Sequence, residues 1–130
     1  MKLLLDTNAY AGFIKNNDDV VKYIRGAERL YMSAVVVGEL LAGFRYGNLY
    51  TKNIWSFEKF LREPQVEFVP VTRATCNRFS MVWKQLRDHG KPIPTNDIWI
   101  AAHVQETGAD LLTSDKHFSH IEGLPLIQFR

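Results

Sequence analysis

The sequence predicts an α/β fold in which a mainly parallel β-sheet carries helices on both faces. Short apolar segments alternate with longer segments of helical periodicity, and Pro and Gly residues fall between them. Short strands buried on both faces and separated by helices are typical of parallel sheets. No repeat, low-complexity stretch or linker interrupts this pattern, so we expect residues 1–130 to form a single domain.

The strands are predicted from short apolar runs. The first is "KLLL" at residues 2–5, and "VEFVPV" at residues 66–71 is β-branched, with Pro70 near its end. The predicted strands are residues 2–5, 30–34, 66–71, 110–113 and 126–129.

The helices are predicted from apolar residues at helical spacing and from residues that begin or end helices. Asn16 and Asn17 are suited to cap the first helix, and Thr72 the fourth, while Gly47, Gly90 and Gly108 follow predicted helix ends. Pro64 stops the third helix, and Thr95 or Asn96 is a natural N-cap for the last. The predicted helices are residues 17–25, 35–46, 51–62, 73–89 and 97–107.

Composition places this chain among globular proteins of ordinary size. Of its 130 residues, 46% are hydrophobic and 23% are charged, which excludes a disordered protein. Cys76 is the only cysteine, so no intrachain disulfide can form, and the opening Leu run ends too early, at Asp6, for a signal peptide or a membrane span. We therefore expect a cytoplasmic protein. The formal charge of +2 permits an acidic partner such as RNA without requiring one.

Four carboxylates stand at positions where such folds place their sites. Ligands of open α/β sheets bind beyond the carboxyl ends of the strands. Asp6 ends the first strand and Asp115 follows the strand 110–113, whereas Asp110 begins that strand and lies at the opposite pole. Asp97 falls in the first turn of a helix, and Glu39 is one of the few charges of an otherwise apolar helix.

Each of these carboxylates also has a simpler explanation when taken alone. Asp6 could form an Asx-turn, and the helix dipole would stabilise Asp97 by roughly 0.3–1 kcal/mol. Asp115 could be a solvated loop residue. Glu39 could form an internal ion pair or bind a buried cation, because an uncompensated buried carboxylate costs several kcal/mol.

Taken together, the four carboxylates favour a metal site. Two such charges about 4 Å apart repel by roughly 4 kcal/mol at an effective dielectric of 20, and a divalent cation would offset this. All-oxygen ligands suit Mg²⁺ or Mn²⁺. His117 and His120 are expected to be surface-loop residues, because hard cations do not need imidazole ligands. Polar neighbours that could support the carboxylates are Thr7, Asn8, Asn96, Thr113 and Ser114.

Three segments of the chain together resemble the PIN-domain family, and within it the VapC-type toxins of toxin–antitoxin pairs. They are "LLLDTNAY", "SAVVVGELLAGF" and "GKPIPTNDIWIAAHVQETGADLLTSDKHFSHIEGLPLI". The resemblance spans essentially the whole chain and implies a three-layer α/β/α sandwich that cleaves RNA with Mg²⁺ or Mn²⁺. The acidic quartet of the family falls on Asp6, Glu39, Asp97 and Asp115.

The same resemblance implies how the protein works and with which partners. Asp6, Asp97 and Asp115 would hold the metal, and Glu39 would complete the shell or orient a water. The substrate would be an RNA, such as tRNA or ribosomal RNA. A cognate VapB-like antitoxin would cover the acidic site, and the protein would be a homodimer. Two alternatives remain: a metal-dependent phosphatase, and a receiver-like signalling domain that binds Mg²⁺.

Overall fold

A five-stranded, all-parallel sheet forms the centre of the molecule, as the computed structural model of residues 1–130 shows. The strand order is β3-β2-β1-β4-β5. The strands are β1 (Lys2–Leu5), β2 (Arg29–Ser33), β3 (Val66–Val69), β4 (Asp110–Thr113) and β5 (Leu126–Gln128). The predicted α/β fold with a mainly parallel sheet is therefore confirmed.

Six α-helices flank this sheet, and a short 3₁₀ helix, Lys116–His120, follows β4. From β1 to β3 the chain moves across the sheet in one direction and from β3 to β4 in the other, so crossovers of the usual right hand put the helices of these two parts on opposite faces. The helices are α1 (Thr7–Ile14), α2 (Asp18–Gly26), α3 (Ala34–Tyr46), α4 (Tyr50–Leu61), α5 (Arg73–Asp88) and α6 (Thr95–Thr107). None of them is long and apolar enough to cross a membrane.

The topology opens a crevice at the carboxyl ends of β1 and β4. From β1 the chain runs outward through β2 to β3, then returns across the sheet to β4 on the other side of β1. Such a reversal of strand order is where open α/β sheets bind their ligands. Because β1 and β4 are hydrogen-bonded neighbours, the residues that follow them, Asp6 and Asp115, lie at this point.

The sequence pattern did not reveal α1, which begins directly after β1. Its residues, "TNAYAGFI", are small or apolar almost throughout and lack the alternation of faces that marks an amphipathic helix. Tertiary packing fixes this helix instead. Tyr10 lies edge-on against Phe57 and Phe60 of α4, with ring centroids 5.1 and 5.2 Å apart.

Two boundaries differ from the prediction in a way that affects the site. Strand β3 ends at Val69, so Pro70 lies outside it, as its missing N–H requires. Helix α6 begins at Thr95 with Pro94 as its N-cap, so neither Thr95 nor Asn96 caps it. The side chain of Asn96 is therefore available for another contact.

A buried histidine joins α6 to the start of α3. The ring of His103 is fully buried, and its Nε2 lies 3.1 Å from the carbonyl oxygen of Pro70, which can only accept. Nε2 therefore carries the proton, and Nδ1 accepts from the hydroxyl of Ser33 at 2.7 Å. The Ser33 oxygen in turn accepts from the N–H of Val35 and caps α3. Burial lowers the pKa of His103, which keeps the ring neutral.

We predict that Ser33→Ala lowers the free energy of unfolding by about 2–4 kcal/mol. Loss of an N-cap costs about 1 kcal/mol, and a buried ring nitrogen left without its donor costs about 1–3 kcal/mol. Urea unfolding of the metal-free protein measures this change. Ser80→Ala is the control, because that hydroxyl is exposed on α5. A loss no larger than that of the control would contradict the role of Ser33.

Candidate functional site

Asp6 is buried at the carboxyl end of β1 and is held from two sides. Its Oδ1 accepts from the backbone N–H of Thr7 at 2.8 Å, so the carboxylate caps α1. Its Oδ2 accepts from the hydroxyl of Thr113 at 2.7 Å and from the amide of Asn8 at 3.1 Å. The sequence allowed Asp6 a local role as an Asx-turn, and the structure gives it a local role as a helix cap, which does not exclude a role in the site.

Asp115 and Asp97 face each other across a histidine side chain. Asp115 follows β4 and caps the 3₁₀ helix, with its N–H donated to Thr113 Oγ1 at 2.9 Å. Asp97 lies in the first turn of α6 and is buried. His117 Nδ1 lies 3.2 Å from Asp115 Oδ1 and 3.6 Å from Asp97 Oδ2.

Glu39 projects from α3 and makes no ion pair. Its Oε1 accepts from the hydroxyl of Thr7 at 3.0 Å, and its Oε2 accepts from the amide of Asn96 at 3.3 Å. The internal ion pair considered for Glu39 is therefore absent, and neutral groups from α1 and α6 hold the carboxylate instead.

The pKa values show that the four carboxylates share one electrostatic environment. Burial raises the pKa of Asp6, hydrogen bonds from Thr113 and Thr7 lower it, and the charges of Glu39 and Asp115 raise it. Burial also raises the pKa of Asp97 to about 6, and its charged neighbours raise it as well, with an opposing effect of His117. Those neighbours are Asp115, Asp6 and Glu39.

The predicted supporting residues are divided between direct and indirect contact with the carboxylates. The side chains of Thr7, Asn8, Asn96 and Thr113 each donate to one of the acids, as described above. Ser114 contributes only its backbone N–H, which donates to Asn8 Oδ1 at 3.0 Å. Of the two candidate hydroxyls before Asp115, the structure therefore places Thr113 against Asp6.

His117 is exposed, as expected of a surface residue, but the sequence did not predict its contact with the acids. The 3₁₀ helix was not recognisable from "KHFSH", and it turns the imidazole of His117 toward Asp97 and Asp115. The second histidine, His120, is exposed and forms no hydrogen bond or ion pair with the acids. An imidazole two residues after a site carboxylate was the only signal in the sequence.

The donor atoms of this cluster fit a divalent cation. One oxygen of Asp97, one of Asp115 and a ring nitrogen of His117 all lie within 4.8 Å of one another. No lysine or arginine forms an ion pair with any of the four carboxylates. Clustered carboxylates without such partners repel one another, and an oxygen-rich donor set is the kind that Mg²⁺ and Mn²⁺ bind.

Comparison with known proteins gives the family. The PIN domain matches residues 3–124, nearly the whole chain. The chain therefore belongs to the PIN-domain family.

Similar curated proteins include several named VapC. "Ribonuclease VapC1" of Haemophilus influenzae (strain R2866) is 30% identical over 129 residues, which is 95% of each chain. "tRNA(fMet)-specific endonuclease VapC" of Shigella flexneri is 24% identical over 95% of each chain. Among solved structures, VapBC-1 from nontypeable Haemophilus influenzae has a TM-score of 0.85 and 27% identity over 98% of each chain.

Neither alternative class is favoured by these findings. A phosphatase or a receiver-like domain would need a second acid near Asp6, and the position two residues on is Asn8, which is hydrogen-bonded to Asp6. The family match and the relatives named as ribonucleases agree with the prediction of a nuclease instead.

We predict that Asp97→Asn stabilises the metal-free protein at pH 7. The pKa of Asp97 is raised from 3.8 to about 6, so between these values the folded state holds a proton that the unfolded chain has lost. Stability therefore falls as pH rises through this window, and the full penalty is present above it. Removing this ionisation penalty raises the free energy of unfolding by about 2–3 kcal/mol. The favourable interaction of the Asp97 charge with the helix dipole, about 0.3–1 kcal/mol, is lost but is smaller.

Urea unfolding at pH 4 and pH 7, with chelator present, measures this difference. The gain of Asp97→Asn is expected at pH 7 and is expected to vanish near pH 4. Asp110→Asn is the control, since Asp110 begins β4 at the opposite end from the cluster. An equal effect of Asp97→Asn at both pH values would show that the penalty does not come from ionisation.

Proposed function

We propose that this protein is a VapC-type ribonuclease toxin that hydrolyses RNA phosphodiester bonds with a divalent metal ion, Mg²⁺ or Mn²⁺. The observation that carries the proposal is the convergence of Asp6, Glu39, Asp97 and Asp115 at the carboxyl ends of β1 and β4, without a lysine or arginine partner. The relatives named as ribonucleases support the substrate class. We further infer that residues 1–130 act as one domain.

In this proposal Asp6, Asp97 and Asp115 would hold the metal ion, which would supply water activation and neutralise charge on the phosphate. Glu39, which is fixed between Thr7 and Asn96, would orient the attacking water or add a further ligand. Thr113 and Asn8 keep the Asp6 carboxylate in one orientation.

The surface beside the acids suits a single-stranded substrate. An open cleft of about 490 Å³ borders Glu39 and Asn96 and is lined by Val71 and Trp99. A phosphodiester in a single strand or loop reaches a recessed site more readily than one in a duplex, and unstacked bases bind to aromatic side chains. RNA of this kind, with tRNA and ribosomal RNA as candidates, is the proposed substrate.

The proposed partners follow from the relatives and from the surface. One of the similar solved structures is that of VapBC-1 from nontypeable Haemophilus influenzae, and we infer a VapB-like antitoxin as the partner of this chain. We also infer that the protein is a homodimer and acts in the cytoplasm. Exposed aromatic side chains support protein partners, since Tyr46 is 96% exposed and Trp55 65% exposed.

We predict that purified protein cleaves end-labelled tRNA or total RNA with Mg²⁺ or Mn²⁺ and not with EDTA. Asp6→Asn keeps the shape of the side chain, removes its charge and is expected to lower the rate at least about 100-fold, since metal activation is worth several kcal/mol. Asp110→Asn is the matched control on the opposite edge of the sheet.

Two outcomes would count against this proposal. Equal cleavage by wild type and Asp6→Asn would mean that the activity comes from a contaminant. Mn²⁺ binding without cleavage of any RNA would keep the metal site and remove RNA as the substrate.

We predict that Thr113→Val weakens Mn²⁺ binding about 10–100-fold. The substitution keeps the buried volume and removes the hydroxyl that donates to Asp6 Oδ2 at 2.7 Å and accepts the Asp115 N–H at 2.9 Å, and loss of such bonds to ligand residues has effects of this size. Ser114→Ala is the matched control, because the Ser114 hydroxyl makes no hydrogen bond to the acids. Calorimetric titration with Mn²⁺ measures both variants. Equal affinities for the two would mean that Asp6 does not depend on Thr113.

A further inference from the structure

We propose that His117 is itself a metal ligand, which gives this carboxylate site one nitrogen donor and a preference for Mn²⁺ over Mg²⁺. The proposal rests on the proposed function, because it takes the divalent ion of the nuclease as given. It goes beyond the acidic quartet, whose members all supply oxygen.

The positions of the donor atoms support a shared ion. Ligands on adjacent corners of an octahedron with bonds of about 2.1 Å lie about 3.0 Å apart, and those on opposite corners about 4.2 Å apart. His117 Nδ1 is 3.2 Å from Asp115 Oδ1 and 3.6 Å from Asp97 Oδ2. The separation from Asp115 is close to the adjacent-corner value, and the separation from Asp97 lies between the adjacent and opposite values, so the three side chains can serve one ion after a small shift of His117 or Asp97.

The backbone around His117 is organised by the same acid. Asp115 Oδ1 accepts the backbone N–H of His117 at 2.8 Å and begins the 3₁₀ helix. The N–H of Asp115 is in turn donated to Thr113 Oγ1. The position of the His117 Cα relative to the acids is therefore set by local hydrogen bonds, and the side chain, 53% exposed, has few other contacts to lose when it turns its lone pair toward an ion.

The type of donor atom determines which metal ions bind more tightly when His117 is a ligand. Carboxylates suit Mg²⁺ and Mn²⁺ alike, whereas imidazole suits transition metals. Removal of His117 should therefore weaken Mn²⁺ binding more than Mg²⁺ binding. The competing explanation is that His117 serves only as a counter-charge to Asp97 and Asp115. A bound metal would then displace it, and its removal would strengthen binding of both ions.

The test is metal binding in the absence of RNA. Wild type, His117→Ala, His117→Asn and His120→Ala are titrated with Mn²⁺ by electron paramagnetic resonance, and Mg²⁺ is measured by competition. We expect His117→Ala to lose about 10-fold or more in Mn²⁺ affinity, and no more than about 3-fold in Mg²⁺ affinity. His117→Asn places an oxygen near the position of Nδ1 and should shift the preference toward Mg²⁺. His120→Ala, on the same short helix, should match wild type. Both substitutions of His117 retain the backbone N–H that Asp115 accepts.

A spectroscopic signature separates a ligand from a bystander. Pulsed paramagnetic resonance of Mn²⁺ bound to ¹⁵N-histidine-labelled protein should show a directly coordinated nitrogen in wild type and His120→Ala, and none in either His117 variant. Bound Mn²⁺ without this coupling, or higher Mn²⁺ affinity in His117→Ala, would overturn the inference and leave the proposed nuclease intact. A wild-type protein that binds no Mn²⁺ would overturn the inference, and one that binds neither Mn²⁺ nor Mg²⁺ would overturn the proposed function as well.

Discussion

The rest of this structure depends on one electrostatic constraint, the gathering of four carboxylates in a partly buried crevice without a lysine or arginine among them. Burial and mutual repulsion both oppose ionisation, and the raised pKa values of Asp6 and Asp97 record that opposition. Stability alone does not favour such an arrangement, because a single basic side chain would reduce the repulsion between the carboxylates. The unrelieved negative charge is what makes a divalent cation the natural complement of the site.

Neutral hydrogen bonds hold the carboxylates in place where ion pairs would have neutralised them. Thr113 ties Asp6 on β1 to β4, and Thr7 and Asn96 tie Glu39 to α1 and α6. Below these contacts, the chain from Pro70 through His103 to Ser33 couples α6 to the first turn of α3. The donors use only part of the lone-pair capacity of each carboxylate, so the acids are oriented and still able to bind an ion.

The sequence indicated the site more completely than it indicated the local structure around it. The ends of apolar parallel strands located Asp6 and Asp115, because strand direction alone determines that edge of the sheet. Helix α1 escaped detection because its apolar residues show no polar face, and the cap of α6 was misplaced because Pro94 leaves Asn96 to contact a distant helix. The position of His117 depends on a turn of 3₁₀ helix that only the folded loop defines. Local sequence patterns did not predict these features because they depend on contacts between residues far apart in sequence.

In the proposed function, stability and activity are opposed by the same four carboxylates. Burial and neighbouring charges raise the pKa of Asp6 and of Asp97, so ionisation of these two carboxylates destabilises the metal-free fold, and a cation that binds only the folded state would stabilise it. Selection for folding alone would replace one of these carboxylates with a neutral side chain, as natural proteins tolerate such strain mainly where function requires it. The buried leucines of β1 and the fully buried His103 supply the rigidity that keeps the acids together despite their repulsion. Because β1 is hydrogen-bonded on both sides, Asp6 cannot withdraw from the crevice without disrupting the centre of the sheet, so a bound ion would relieve the repulsion where movement of the backbone cannot.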